Sequence, residues 1–169
     1  MRQRPRPRHS LSGSTWIASA RRSARPGRGP VGGWNCTSAP TAARIETLAE
    51  FGRHGDRRTW AVLGDMLELG DSAGAEHEAI GRFVADEGID RLVAVGEHAV
   101  RLTGGADSGA RPISGQAFRT KADAGAAVIA GLAPGDVVLV KASRGLALNT
   151  VADDILAAVP PPADPEAPS

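Results

Sequence analysis

Three short runs constrain the fold of this chain most: TWAVLG at 59–64, RLVAVG at 91–96 and VVLVK at 137–141. Each is apolar but for one residue at an end, Thr59, Arg91 or Lys141, so as a strand each is expected to be buried on both faces. The segments around them repeat at helical spacing. "ARIETLAEFGRH" sets Ile45, Leu48, Ala49 and Phe51 near one helical face ahead of the first strand. Residues 75–87 carry Ala79, Ile80, Phe83 and Val84 at helical intervals, with Glu76 and Glu78 in the first turn and Gly88 to end the helix. Glu97 to Leu102 reads as a short helix, and TGGADSGARPISG as a loop with a brief strand around Pro112 and Ile113. Thr120 and Asp123 form a capping-box-like start to a helix running through Leu132. The last helix buries Leu148, Val151, Ala152 and Ile155 before the prolines at 160–162 stop it. Short apolar strands alternating with amphipathic helices predict an α/β domain, a mostly parallel sheet with helices on both faces. In such sheets ligands sit beyond the carboxyl ends of the strands.

Charge divides the chain. Residues 1–40 hold eight Arg and no acid, which leaves 12 basic against 19 acidic side chains in 41–169, a net charge of −7. A body of that sign does not attract a phosphate backbone, so only the head could bind nucleic acid, and no nucleic-acid partner is expected. The head is rich in Arg, Pro, Gly and Ser without an apolar period and reads as a disordered tail, as does the Pro-rich end 160–169. Its Gly27, Gly29 and Gly32 spell G-x-G-x-x-G, but no strand precedes them and Pro30 interrupts them. "WIASA" is too short for a secretory core, and the prolines oppose the amphipathic helix of a transit peptide. No apolar run approaches the ~18 residues of a membrane span. One cysteine, Cys36, and four histidines without ligand spacing predict neither a disulfide nor a structural metal. A soluble, cytoplasmic monomer is expected.

Polar groups follow each strand: Asp65 and Glu68 the first, Glu97 and His98 the second, Lys141, Ser143 and Arg144 the third. Two cations, a hydroxyl and helix N-terminal N–H groups in "KASRG" form an anion cradle, although solvated charges with Ser143 as a helix cap are the plainer alternative. Asp65, Glu68 and Asp71 in "GDMLELGDSAG" could accept an ammonium or a cation; equally, the loop could be solvated with Asp71 or Ser72 as a cap. His77 taken alone is a packing or surface residue more often than a catalyst, and His98 has no evident acidic partner. G-x-x-x-x-G-K-[ST] and G-x-S-x-G are both absent, so neither a P-loop nor a Ser-hydrolase elbow is present. No self-sufficient catalytic apparatus is legible.

Taken together, "WAVLGDMLELGDSAGAEHEAIGRFVADEGIDRLVAVG" and, some forty residues on, "LAPGDVVLVKASRG" resemble the C-terminal domain of the Mur ligases. The resemblance covers about residues 42–159 and implies a Rossmann-like domain. It is nearest to the ligases that add D-alanyl-D-alanine to UDP-N-acetylmuramoyl-tripeptide in peptidoglycan synthesis. In that family ATP and Mg²⁺ are bound mainly by a central domain, which phosphorylates the peptide carboxylate. The C-terminal domain closes over the site and helps admit the dipeptide whose amine attacks the acyl phosphate. By this resemblance Lys141, Ser143 and Arg144 contact the dipeptide or the phosphates, Asp65 and Glu68 face the same cleft, and His77 matches the family's helix. No catalytic residue and no cofactor are expected for this chain by itself.

The departures are specific. Where the family has Asp-Ala-Tyr-Asn-Ala-Asn-Pro this chain reads "NCTSAP", with only Pro40 in keeping, and Asn149 stands where Glu is common. The first two family domains are not in the sequence. The expectation is an incomplete ligase whose first 40 residues resemble a wrong reading frame or start, and which makes no ligation product unaided. The alternative is a non-catalytic Rossmann-like binding module acting with a separate ATPase partner.

Overall fold

In the computed structural model, which describes residues 16–19, 39–55, 57–67, 69–141 and 147–159, the three apolar runs become neighbouring strands. In chain order the strands are β1 (Trp16–Ser19), β2 (Thr59–Gly64), β3 (Arg91–Val95), β4 (Gln116–Phe118) and β5 (Val137–Lys141). They form one parallel sheet of order β1-β5-β2-β3-β4. β2 lies at its centre, with Val62 beside Val93 of β3 on one side and Val140 of β5 on the other. All of β2 is buried, which is why its sequence lacks a polar face.

The period-2 alternation sorts side chains into two cores. Ala61, Leu63, Leu92, Ala94, Val137 and Leu139 face α1 (Ala39–Gly55), α2 (Ala73–Asp86) and α3 (Ala99–Asp107). Trp60, Val62, Val93, Val95, Val138 and Val140 face α4 (Lys121–Gly131) and α5 (Asn149–Ala158). The chain steps from β2 to β3 to β4, then α4 carries it back to the far side of β2, where β5 pairs. Loops leaving β2 and β5 therefore diverge, opening a crevice at the carboxyl ends of these strands.

At the opposite edge a buried acid ties strands together. Asp136 is 3% exposed and accepts from Arg58 Nη2 at 2.7 Å, Trp60 Nε1 at 2.9 Å and the Ala133 N–H at 2.9 Å. Burial by itself would raise this carboxyl, but the bonds from Arg58, Ala133 and Trp60 outweigh it and hold the group below the usual carboxylate range.

Several boundaries differ from expectation. Phe51 is 56% exposed, because it lies about 110° around the helix from the stripe of Ile45, Leu48 and Ala49, where Gly52 takes the next place. α3 starts at Ala99, since Glu97 and His98 act as its cap, and runs on to Asp107. The brief strand falls at Gln116–Phe118; Ile113 packs against the core instead, and Pro112 has no N–H to offer a ladder. Within 1–40, Trp16–Ser19 is a β-capable segment that pairs along β5. Helix α1 starts at Ala39, inside that stretch. Ser72 does precede α2, but its hydroxyl donates back to Leu69 O rather than capping.

Candidate functional site

The carboxyl ends of β2, β3 and β5 bring Asp65, Glu97 with His98, and Lys141 to one edge. Asp65 is 9% exposed, and its carboxylate turns inward. Oδ2 accepts from the Glu97 N–H at 2.8 Å and Oδ1 from the His98 N–H at 3.0 Å. These are unpaired donors at the start of α3, where negative charge is favoured. Between β3 and that cap sits Gly96 at φ +119, and a Cβ there would collide with the Asp65 carboxylate. Glycine is required on both counts.

His77 is fully buried on α2. Its Nδ1 lies 2.6 Å from Ala73 O, and its Nε2 lies 2.9 Å from the Met66 N–H. A carbonyl only accepts and an N–H only donates, so Nδ1 carries the proton and Nε2 is the acceptor. The ring is neutral. Burial is the main cause of its lowered pKa; the Ala73 carbonyl opposes that, and His98, stacked at 4.5 Å, adds to it. Asp65 Oδ1 is 3.9 Å from Nε2, but with a neutral imidazole this is not an ion pair. His77 fastens the segment after β2 to α2, and Asp65 fastens it to α3. Both residues shape the edge, and their bonding capacity is directed into the protein.

Lys141 is different. It ends β5 half-buried, pairs with no carboxylate among the described residues, and is held below the usual lysine range by burial and then by the nearby Arg44 charge. Its neighbours around a pocket of about 10 Å³ are Thr41, Leu63, Gly64, Met66, Ile80 and Leu102. Among the described residues, two buried side-chain oxygens have no hydrogen-bond partner, Thr41 Oγ1 and Glu76 Oε2. An unpaired ammonium in apolar walls can attract an anion more strongly than it could in water.

Of the site residues read from the sequence, the structure brings Asp65, His77 and Lys141 to this edge; Glu68, Ser143 and Arg144 lie outside the described residues. Helix α5 starts at Asn149, with Leu148 at its N-cap position. Thr41, Gly96 and the N–H groups of Glu97 and His98 were not legible as site groups. A glycine after a buried strand was the one available signal.

A larger cleft of about 490 Å³ lies at the opposite edge, lined by Arg53, Arg57, Arg58, Glu87, Asp90 and Arg111 among others. Much of its charge is used by the scaffold: Arg53 pairs with Glu87 at 3.5 Å, Arg58 with Asp136 at 2.7 Å, and Asp90 caps Thr59 at 2.7 Å. Among the described residues no group of His, Cys, Asp or Glu could hold a metal ion, and no helix is long and apolar enough to cross a membrane.

Comparison with known proteins identifies the family of this domain. The family described as Mur ligase, glutamate ligase domain matches residues 35–144. UDP-N-acetylmuramoyl-tripeptide–D-alanyl-D-alanine ligases of Mycobacterium bovis and Mycobacterium tuberculosis are each 45% identical over 140 residues, covering 73% of this chain and 28% of theirs. A crystal structure of MurF from Acinetobacter baumannii superposes with a TM-score of 0.57 at 29% identity, covering 68% of this chain and 25% of that one. The chain thus spans less than a third of the length of the curated relatives it matches. Over the larger part of its length, the chain belongs to the Mur ligase family, in its glutamate ligase domain.

Proposed function

We propose that this chain acts as the closing domain of an ATP-dependent amide ligase of the cytoplasm that joins D-alanyl-D-alanine to UDP-N-acetylmuramoyl-tripeptide. The observation that carries this reading is Lys141, half-buried and unpaired at the sheet edge where the family motif lies, within a chain 45% identical to ligases named for that reaction. Lys141, Ser143 and Arg144 hold the dipeptide carboxylate. Asp65 and His77 keep the loop after β2 and the start of α3 in place around it, and Glu68 lies on that same loop.

Amide formation needs an amine held beside an activated carboxyl and water kept away from it, which positioning by a closing domain supplies. ATP provides the activation when bound. In this reading the part of the domain is binding, orientation and exclusion of water, and the sequence has no P-loop of its own.

The test is a domain exchange. Residues 39–159 replace the corresponding domain of the Mycobacterium tuberculosis ligase, and ATP-dependent formation of the dipeptide adduct is measured. Product is expected, with Lys141→Met raising the KM for the dipeptide about ten-fold or more. A folded chimera that makes no product, or a Lys141→Met variant with unchanged KM, overturns the reading.

A further inference from the structure

Thr41 stands in the first turn of α1, 2% exposed, with a hydroxyl that bonds to nothing. Every other described threonine uses its hydroxyl: Thr47, Thr103 and Thr150 donate to carbonyls three or four residues back, while Thr59 and Thr120 bond Asp90 and Asp123. Thr41 lies too close to the helix start to have such a carbonyl within α1. A buried polar group left unpaired is costly, and a native structure with one calls for a cause.

Lys141, which pairs with no carboxylate among the described residues, also lines this pocket. Among the described residues no carboxylate acts on that charge, whereas Arg44, three residues along α1 from Thr41, repels it. A hydroxyl, a lysine, a nearby guanidinium and the positive end of a helix of 17 residues therefore lie together, with no carboxylate paired to them among the described residues. This local excess of donors occurs in a body whose net charge over 41–169 is −7. The pocket, at about 10 Å³, has room for a single oxygen atom between Leu63, Met66, Ile80 and Leu102.

We propose that Thr41 and Lys141 form an oxyanion-binding niche that takes one oxygen of a carboxylate or phosphate, with Thr41 as a binding residue that the family motifs do not mark. The inference rests on the reading of this edge as the substrate edge and adds a group from α1 to Lys141 at the end of β5. The oxygen accepts from the Thr41 hydroxyl inside the pocket and from the Lys141 ammonium at its mouth. Its charge also offsets the repulsion between Lys141 and Arg44.

Calorimetric titration of the whole chain at low salt, with inorganic phosphate and separately with D-alanyl-D-alanine, tests this alongside the variants Thr41→Val and Thr41→Ser. Thr41→Val is expected to weaken binding of at least one anion about ten-fold, with Thr41→Ser retaining it. Without anion, Thr41→Val should melt higher than the wild type, since it removes an unpaired buried hydroxyl at nearly constant volume. A threonine serving only packing would not produce this pair of opposite changes. If phosphate binding depends on Thr41 and the dipeptide does not bind, the niche stands and the dipeptide reading falls. If the dipeptide binds wild type and Thr41→Val equally and phosphate shows no dependence on Thr41, the dipeptide reading stands and the niche falls. Absence of Thr41-dependent binding for both anions overturns the inference.

Discussion

His77 shows how one side chain can be functionally placed and chemically spent. Both ring nitrogens are engaged with backbone, Nδ1 with Ala73 O and Nε2 with the Met66 N–H, so the ring is best protected when neutral. Because folding lowers its pKa below the ordinary value of 6.5, the unfolded chain takes up the proton first as pH falls. The stabilisation is therefore complete above about pH 6.5 and is lost progressively as pH drops toward the lower folded value. His98, Asp65 and Glu76 are the charged or titratable groups that act on the ring. The slope is limited to about 1.4 kcal/mol per pH unit for one proton. Urea midpoints between pH 8 and 5 should fall in the wild type and fall less steeply in His77→Phe. A long-range ¹H–¹⁵N spectrum at pH 7 should show the Nδ1–H tautomer, and a doubly protonated ring at that pH would contradict this assignment.

Among the elements, α2 and α3 are matched by two glycines. A Cβ on Gly81 would run into the Leu102 carbonyl, and one on Gly105 into the Glu78 carbonyl, so the two backbones approach too closely for any side chain at these positions. This approach holds α3 beside the loop after β2, which puts the Glu97 and His98 N–H groups within reach of Asp65. Gly81→Ala would gain about 1 kcal/mol in helix propensity. The steric cost is larger, because backbone cannot rotate aside as a side chain can, and a net loss of about 2 kcal/mol or more is expected. Denaturant unfolding measures it directly. A variant as stable as the wild type would mean that the helices do not pack at this distance.

For the whole molecule, electrostatics separates the head from the body. All the acidic residues lie in 41–169, where they outnumber the bases, 19 to 12. A chain starting at residue 39 is therefore expected to show no measurable binding to duplex DNA at physiological salt in a fluorescence anisotropy assay. Tight binding by that shortened chain would reopen the nucleic-acid reading. An acidic surface does not draw a carboxylate or phosphate in general, so on the proposed reading of the Lys141 edge the attraction would come from Lys141 and Arg44 at short range.

The sequence by itself determined the strands and most of the helices, because these depend on local periodicity. TWAVLG, RLVAVG and VVLVK could not be other than doubly buried strands, and their polar ends mark the carboxyl edge of a parallel sheet. It could not separate residues that offer groups to a ligand from those that build the walls. Asp65 and His77 looked like site carboxylate and site imidazole; only the tertiary structure turned them toward Glu97, His98, Ala73 and Met66. In the same way, nothing near Thr41 in the sequence points to Lys141. Their meeting depends on α1 packing beside the end of β5, a contact between segments far apart along the chain, which periodicity does not encode.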